Sequence, residues 1–179
     1  MLGIQVGLSR FAGIMVATLL LASSCGEPRA TAPKTQSARS QIPGTNILEC
    51  PTNQTTTATG FIGPLGGIVQ VGATSISIPA GAISLPTLLQ VTVTVPASNY
   101  MEIDVTAGAL AHFTFDQPVS VTIDYSRCNR SNIDRAPLHV WYIDSDTHEL
   151  LQDMGGVDDK ASQSITFTTG HLSGYAVAD

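Results

Sequence analysis

The sequence predicts an all-β fold, a two-sheet antiparallel β-sandwich over residues 46–179, preceded by a cleaved signal segment (residues 1–24) and a flexible linker (residues 25–45). Three observations carry this reading. Charged residues make up only 12% of the chain and aromatic ones 6%, while Gly, Pro, Thr and Ser are abundant; that composition suits short strands joined by turns and is poor in strong helix formers. Apolar residues alternate with Thr, Ser or acids in one run after another, the two-residue period of a strand buried on one face. Turn-forming clusters separate the runs, and no stretch carries a long helical period.

The first 24 residues have the pattern of a secretion signal. Arg10 is the only charge before Glu27, and Phe11 to Ala22 is apolar except for Thr18, too short to span a bilayer. The eight residues LLLASSCG, Leu19 to Gly26, resemble the lipid-attachment site of bacterial lipoproteins, with Ala22 where that family usually carries Leu. The resemblance implies a thioether from the Cys25 thiol to diacylglycerol, each buried CH₂ then contributing about 0.8 kcal/mol to membrane attachment. Gly26, in place of the Asp that retains such proteins at an inner membrane, implies delivery to the outer membrane of a two-membrane envelope. The domain would face the periplasm or the exterior, its first partner being the membrane itself. An ordinary signal with an incidental cysteine also implies export; a buried N-terminal helix is the remaining reading.

Residues 26–44, GEPRATAPKTQSARSQIPG, contain one large aliphatic side chain, Ile42, and read as a coil spanning roughly 20 to 25 Å root mean square. From Cys25 onward seven basic and fourteen acidic side chains remain, a net charge of −7 that argues against nucleic acid and anionic lipid as partners. With Cys25 assigned to lipid, Cys50 and Cys128 form an even pair, which an oxidising envelope favours as a disulfide; two separate thiols are the alternative.

Asn46 to Thr59 is a transitional segment, pinned by Cys50. Beyond it, Ile76 and Ile78 alternate with Ser75 and Ser77, Val91, Val93 and Val95 with Thr92 and Thr94, and Ile103 and Val105 with Glu102, Asp104 and Thr106. Phe113 and Phe115, then Val119, Val121 and Ile123, continue the pattern, with a turn at Asp116 to Pro118. Leu138 to Ile143, Gln163 to Thr168 and Gly174 to Ala178 are three further strands, for about eight to ten in all, with turns at GPLGG, PAGA and MGG. One-sided burial of this kind favours antiparallel sheets.

GPLGGIVQVGATSISIPAGAI, LLQVTVTVP and HFTFDQPVSVTIDYSRC, within residues 62–128, resemble the glycine-rich opening segment, the Ile-Pro-x-Gly-Ala turn and the later strands of ZU5 domains. The resemblance implies a β-sandwich that mediates protein interaction or autoinhibition, usually beside a second β-domain; here only about forty residues follow.

His171-Leu172-Ser173 resembles the self-cleavage triplets of some ZU5 proteins and adhesion-receptor domains. There the imidazole takes the Ser173 proton, Oγ attacks the Leu172 carbonyl, and water resolves the ester, in a strained turn that Gly170 and Gly174 permit. The plain alternative is one last strand with His171, Ser173, Tyr175 and Val177 on one face. Asp144, Asp146, Thr147 and Glu149 offer oxygen ligands for Ca²⁺ but lack the glycine and full ligand set of a complete Ca²⁺ loop, and read first as a solvated hairpin tip. Asp158-Asp159-Lys160 reads as a polar turn. His112, His139, His148 and His171 have no zinc-site spacing, and Trp141 reads as a core or inter-sheet packing residue. Asn53-Gln54-Thr55 and Asn129-Arg130-Ser131 match the glycosylation sequon, which a bacterial host leaves silent.

The resulting expectation is a membrane-anchored envelope lipoprotein, not an enzyme and without a cofactor, whose β-sandwich is a structural or protein-interaction module for an envelope partner. A chain that splits itself before Ser173, and a Ca²⁺- or glycan-binding adhesion module, are the alternatives.

Overall fold

The structure, a computed structural model, describes residues 46–84, 88–108, 110, 113–134 and 136–179. The signal segment, Cys25, the linker and His112 lie outside the described residues. Eleven strands are described: β1 Thr56–Ile62, β2 Gly67–Val71, β3 Thr74–Ile78, β4 Leu89–Val95, β5 Glu102–Ala107, β6 Phe113–Asp124, β7 His139–Ile143, β8 Leu150–Gly155, β9 Val157–Asp159, β10 Ser164–Leu172 and β11 Gly174–Ala178. A single helical turn, α1 Arg130–Ile133, follows β6. One sheet has the order β1-β4-β5-β11-β7-β8 and the other β2-β3-β6-β10-β9, with every pairing antiparallel. The alternating runs therefore build the two-sheet sandwich that they predict. Among the described residues no helix is long and apolar enough to cross a membrane.

Alternation becomes energy at the sheet interface. Val91, Val93, Ile103 and Val105 of one sheet, and Ile76, Val121, Ile123 and Ile165 of the other, are each at most 1% exposed. Each such side chain contributes about 1.5 to 3 kcal/mol of burial. The intervening threonines pair across strands, Thr59 with Thr92 at 3.0 Å and Thr122 with Thr166 at 2.9 Å. Trp141 is buried but lies outside the inter-sheet core: it packs with Ile143, Ala176 and Ala178 beneath Ile47 and Leu150.

The sandwich has two distinct ends. At the linker end, Leu48 N–H donates to the Val177 carbonyl and its own carbonyl accepts from Met101, so the first described residues are stitched between β11 and the segment before β5. Cys50 and Cys128 are disulfide-bonded there, 78 residues apart in sequence. A cross-link of that span stabilises by roughly 4 kcal/mol in the chain-entropy account. At the far end, the GPLGG turn closes between Gly63 and Gly66 and docks on the PAGA turn through Gly81 N–H to the Pro64 carbonyl, 2.8 Å. Gly66 (φ +72°) admits no side chain, since a Cβ would lie 2.3 Å from the Ile78 carbonyl oxygen.

Four expectations are corrected. β6 runs unbroken through Asp116 to Pro118, because Pro118, which has no N–H, sits where β10 shifts register between Thr169 and His171 and no ladder donor is needed. The MGG segment is where the chain passes from β8 in one sheet to β9 in the other. Asp158 and Asp159 belong to β9, and Asp158 Oδ1 accepts a short hydrogen bond from buried Tyr125, so this is not a plain solvated turn. The last strand is two strands, as described below.

Candidate functional site

The His171-Leu172-Ser173 triplet lies at a crossover. β10 ends at Leu172 in the five-stranded sheet and β11 begins at Gly174 in the six-stranded one, so Ser173 is the residue at which the chain changes sheets. Ser173 is 7% exposed, and its carbonyl accepts from Val105 N–H at 3.0 Å, which fixes the start of β11 against β5. The single-face arrangement expected for His171, Ser173, Tyr175 and Val177 is thus replaced by a corner.

The corner is held by polar groups inside the core. Where the β6–β10 register shifts, Thr169 Oγ1 accepts from His171 N–H at 3.2 Å and lies 3.1 Å from the Tyr175 hydroxyl. Tyr175 donates to the His171 carbonyl at 2.5 Å, and its oxygen lies 3.4 Å from His171 Nδ1. Burial pushes the Tyr175 phenol up to about 12, opposed by the Thr169 hydroxyl and reinforced by Tyr142. The imidazole packs edge-on to Tyr142, with ring centroids 5.4 Å apart.

Self-cleavage needs His171 as base on the Ser173 hydroxyl and a strained peptide between them. Among the described residues no hydrogen bond joins the imidazole to Ser173 Oγ. Neither Gly170 nor Gly174 has a left-handed φ; the positive-φ residues lie elsewhere. Gly174 serves a different purpose, because a Cβ there would fall 2.2 Å from Ser145 Oγ and 3.0 Å from Asp104 Oδ1.

That close approach brings the second candidate to the first. Ser145 Oγ donates to Asp104 Oδ1 at 2.6 Å directly over Gly174. Together with Ser173, Asp144, Asp146 and Tyr142 these residues line an open cleft of about 410 Å³. Of the expected cation ligands, the Asp144 carboxylate is committed to shaping the β7–β8 hairpin. Asp144 Oδ1 accepts from Thr147 N–H at 2.8 Å and Asp146 N–H at 3.0 Å, and these bonds, Thr147 foremost, hold its carboxyl below the usual carboxylate range. Glu149 is half-buried and its carbonyl accepts from Asp144 N–H. Among the described residues no group of three or more His, Cys, Asp or Glu side chains is placed to hold a metal ion.

Two polar groups, one buried and one half-buried, carry no motif and escape a reading of the sequence. Glu102, 6% exposed, pairs with His148 Nδ1 at 2.8 Å, and His148 adopts φ +56° at the hairpin to do so. Arg127, beside the disulfide, donates to the carbonyls of Pro51 (2.5 Å), Tyr100 (2.5 Å) and Ser98 (3.4 Å). Burial lowers the Arg127 guanidinium pKa, and Glu102 opposes the shift. Their one sequence signal is weak: Glu102 ends a stretch, from Cys50 to Met101, without a single charge.

No family model matches the chain, and a search of curated proteins finds no significant match.

Proposed function

We propose that the chain is a lipid-anchored envelope protein, acylated on Cys25, whose β-sandwich is a non-enzymatic structural or interaction module of ZU5 type. The observation that supports it best is the partnering of the cysteines. Cys50 and Cys128 close on each other, which fits an oxidising compartment and leaves Cys25 as the odd thiol, at the end of an apolar leader. The Ser173 corner supports the same reading from the other side: Tyr175 and Thr169 satisfy the carbonyl and N–H of His171 inside the core, and the imidazole packs against Tyr142.

Cell fractionation tests this. Wild-type protein sediments with membranes and partitions into detergent, whereas Cys25→Ser is recovered in the soluble exported fraction with its disulfide intact. Recovery of both proteins in the same soluble fraction overturns the anchor.

A further inference from the structure

We propose that the far end of the sandwich is a docking surface for a neutral lipid bilayer. Five large apolar side chains stand in water there: Leu65 (91% exposed), Phe61, Ile68, Leu88 and Leu110. They come from different strands and loops but share one end. Leu65 tips the Gly63–Gly66 turn, and a Cβ on Gly63 would meet Leu88 Cδ2 at 3.0 Å. Phe61 pairs in register with Gln90, whose carbonyl accepts from Gly108 N–H, and Leu110 bridges Ala107 beside it. Ile68, next to that turn on β2, is the corresponding outward residue of the other sheet, opposite Ser77.

Charge selects the partner. Residues 60–68, 78–84, 88–90 and 107–108, the described segments that carry or adjoin these side chains, contain no charged side chain on a chain of net charge −6. The nearest charge along β6 is exposed Asp116, whose N–H bonds the Ala82 carbonyl at the rim. An uncharged patch with an acid at its rim is complementary to zwitterionic or uncharged headgroups and repels anionic ones. The side chains protrude from turn tips and from both outer faces, a convex arrangement suited to insertion between headgroups. Geometry allows the contact beside an anchor: β6, twelve residues long, spans about 40 Å, and the residues between Cys25 and Asn46 reach about 70 Å when extended. The inference rests on the lipid-anchored reading only for the supply of a membrane.

Vesicle flotation tests it, using the chain from residue 25 onward with Cys25→Ser, so that no acyl chain contributes; the described fold lies wholly within residues 46–179. The unlipidated protein is expected to float with phosphatidylcholine vesicles, with little dependence on salt and no gain from anionic lipid. Leu65→Asp with Leu88→Asp reduces the bound fraction at least about tenfold, and Leu65→Ser alone severalfold, at unchanged melting temperature. Ala73→Asp at the linker end leaves binding unchanged. Absence of flotation, a requirement for anionic lipid, or indifference to Leu65 and Leu88 overturns the proposal. So does a lipid-free dimer that the double variant dissociates, which makes the end a contact between copies, or a photocrosslinker at Leu65 that captures only protein in native envelopes. Acyl mass on Cys25 of the native protein, measured separately, distinguishes this failure from that of the anchor.

Discussion

The Tyr175 hydroxyl donates to the carbonyl oxygen of His171 across 2.5 Å, joining the two sheets by residues four apart in sequence. The bond holds the chain at the point where it changes sheets. Removing the donor leaves a buried carbonyl with less than its full set of partners, a loss of about 1 to 3 kcal/mol. Tyr175→Phe is therefore expected to lower stability by about that amount in urea titration, with the slope unchanged. A neutral Tyr175→Phe would show that Thr169 alone holds the corner.

Alkaline pH attacks the same tyrosine. Its pKa is raised by burial from 10.0 to about 12, and that of Tyr125 is raised also, by burial and by Asp158. A raised pKa means that the unfolded chain releases the proton first. The stabilisation is complete below pH 10 and is lost between pH 10 and 12, at about 1.4 kcal/mol per unit for a single group. Phenolate absorbance should thus show Tyr125 and Tyr175, of four tyrosines, ionising only as circular dichroism reports unfolding. Ionisation of all four ahead of unfolding would contradict the buried placement.

At Gly174 the expected failure is steric. Gly174→Ala places a methyl group 2.2 Å from Ser145 Oγ, forcing the hairpin away from β11 and costing about 2 kcal/mol or more. Adding Ser145→Ala removes the nearest clash, although Asp104 Oδ1 at 3.0 Å remains. The double variant is expected to recover part of the loss, a coupling read from a double-mutant cycle. Additive losses would refute the contact.

Arg127→Lys keeps the charge and loses the fork. The guanidinium spans three carbonyls from two segments that flank the disulfide, a geometry that a single ammonium cannot reproduce. A loss of about 1 to 3 kcal/mol is expected, smaller than the roughly 4 kcal/mol from removing Cys50 and Cys128 together. Chemical denaturation of both variants ranks them; the reverse order contradicts the entropic account of the cross-link.

Much of this architecture is legible in the chain because burial acts on alternate residues. Val91, Val93 and Val95, or Val119, Val121 and Ile123, can hide one face only in extended conformation, and the even cysteine pair follows from setting Cys25 aside. Local patterns do not encode which sheet a strand joins. Nothing at Ser173 or Gly156 distinguishes a sheet change from a turn, and Pro118 reads as a strand start because the strand against which its register shifts lies some fifty residues away. β1 and β8 are exposed edge strands with weak alternation. The polar groups at the corner escape for a similar reason: His171 and Ser173 suggest chemistry by type, whereas Tyr175 and Thr169 reveal by position that the imidazole is part of the packing.

The most direct test of the account is intact-mass analysis of the protein extracted from native membranes, without reduction and under denaturing conditions. The account predicts one unsplit chain beginning at Cys25, carrying acyl mass on that residue, with Cys50 and Cys128 closed to alkylation until reduced. A chain that starts elsewhere with Cys25 lost or free, or that separates before Ser173, would contradict it.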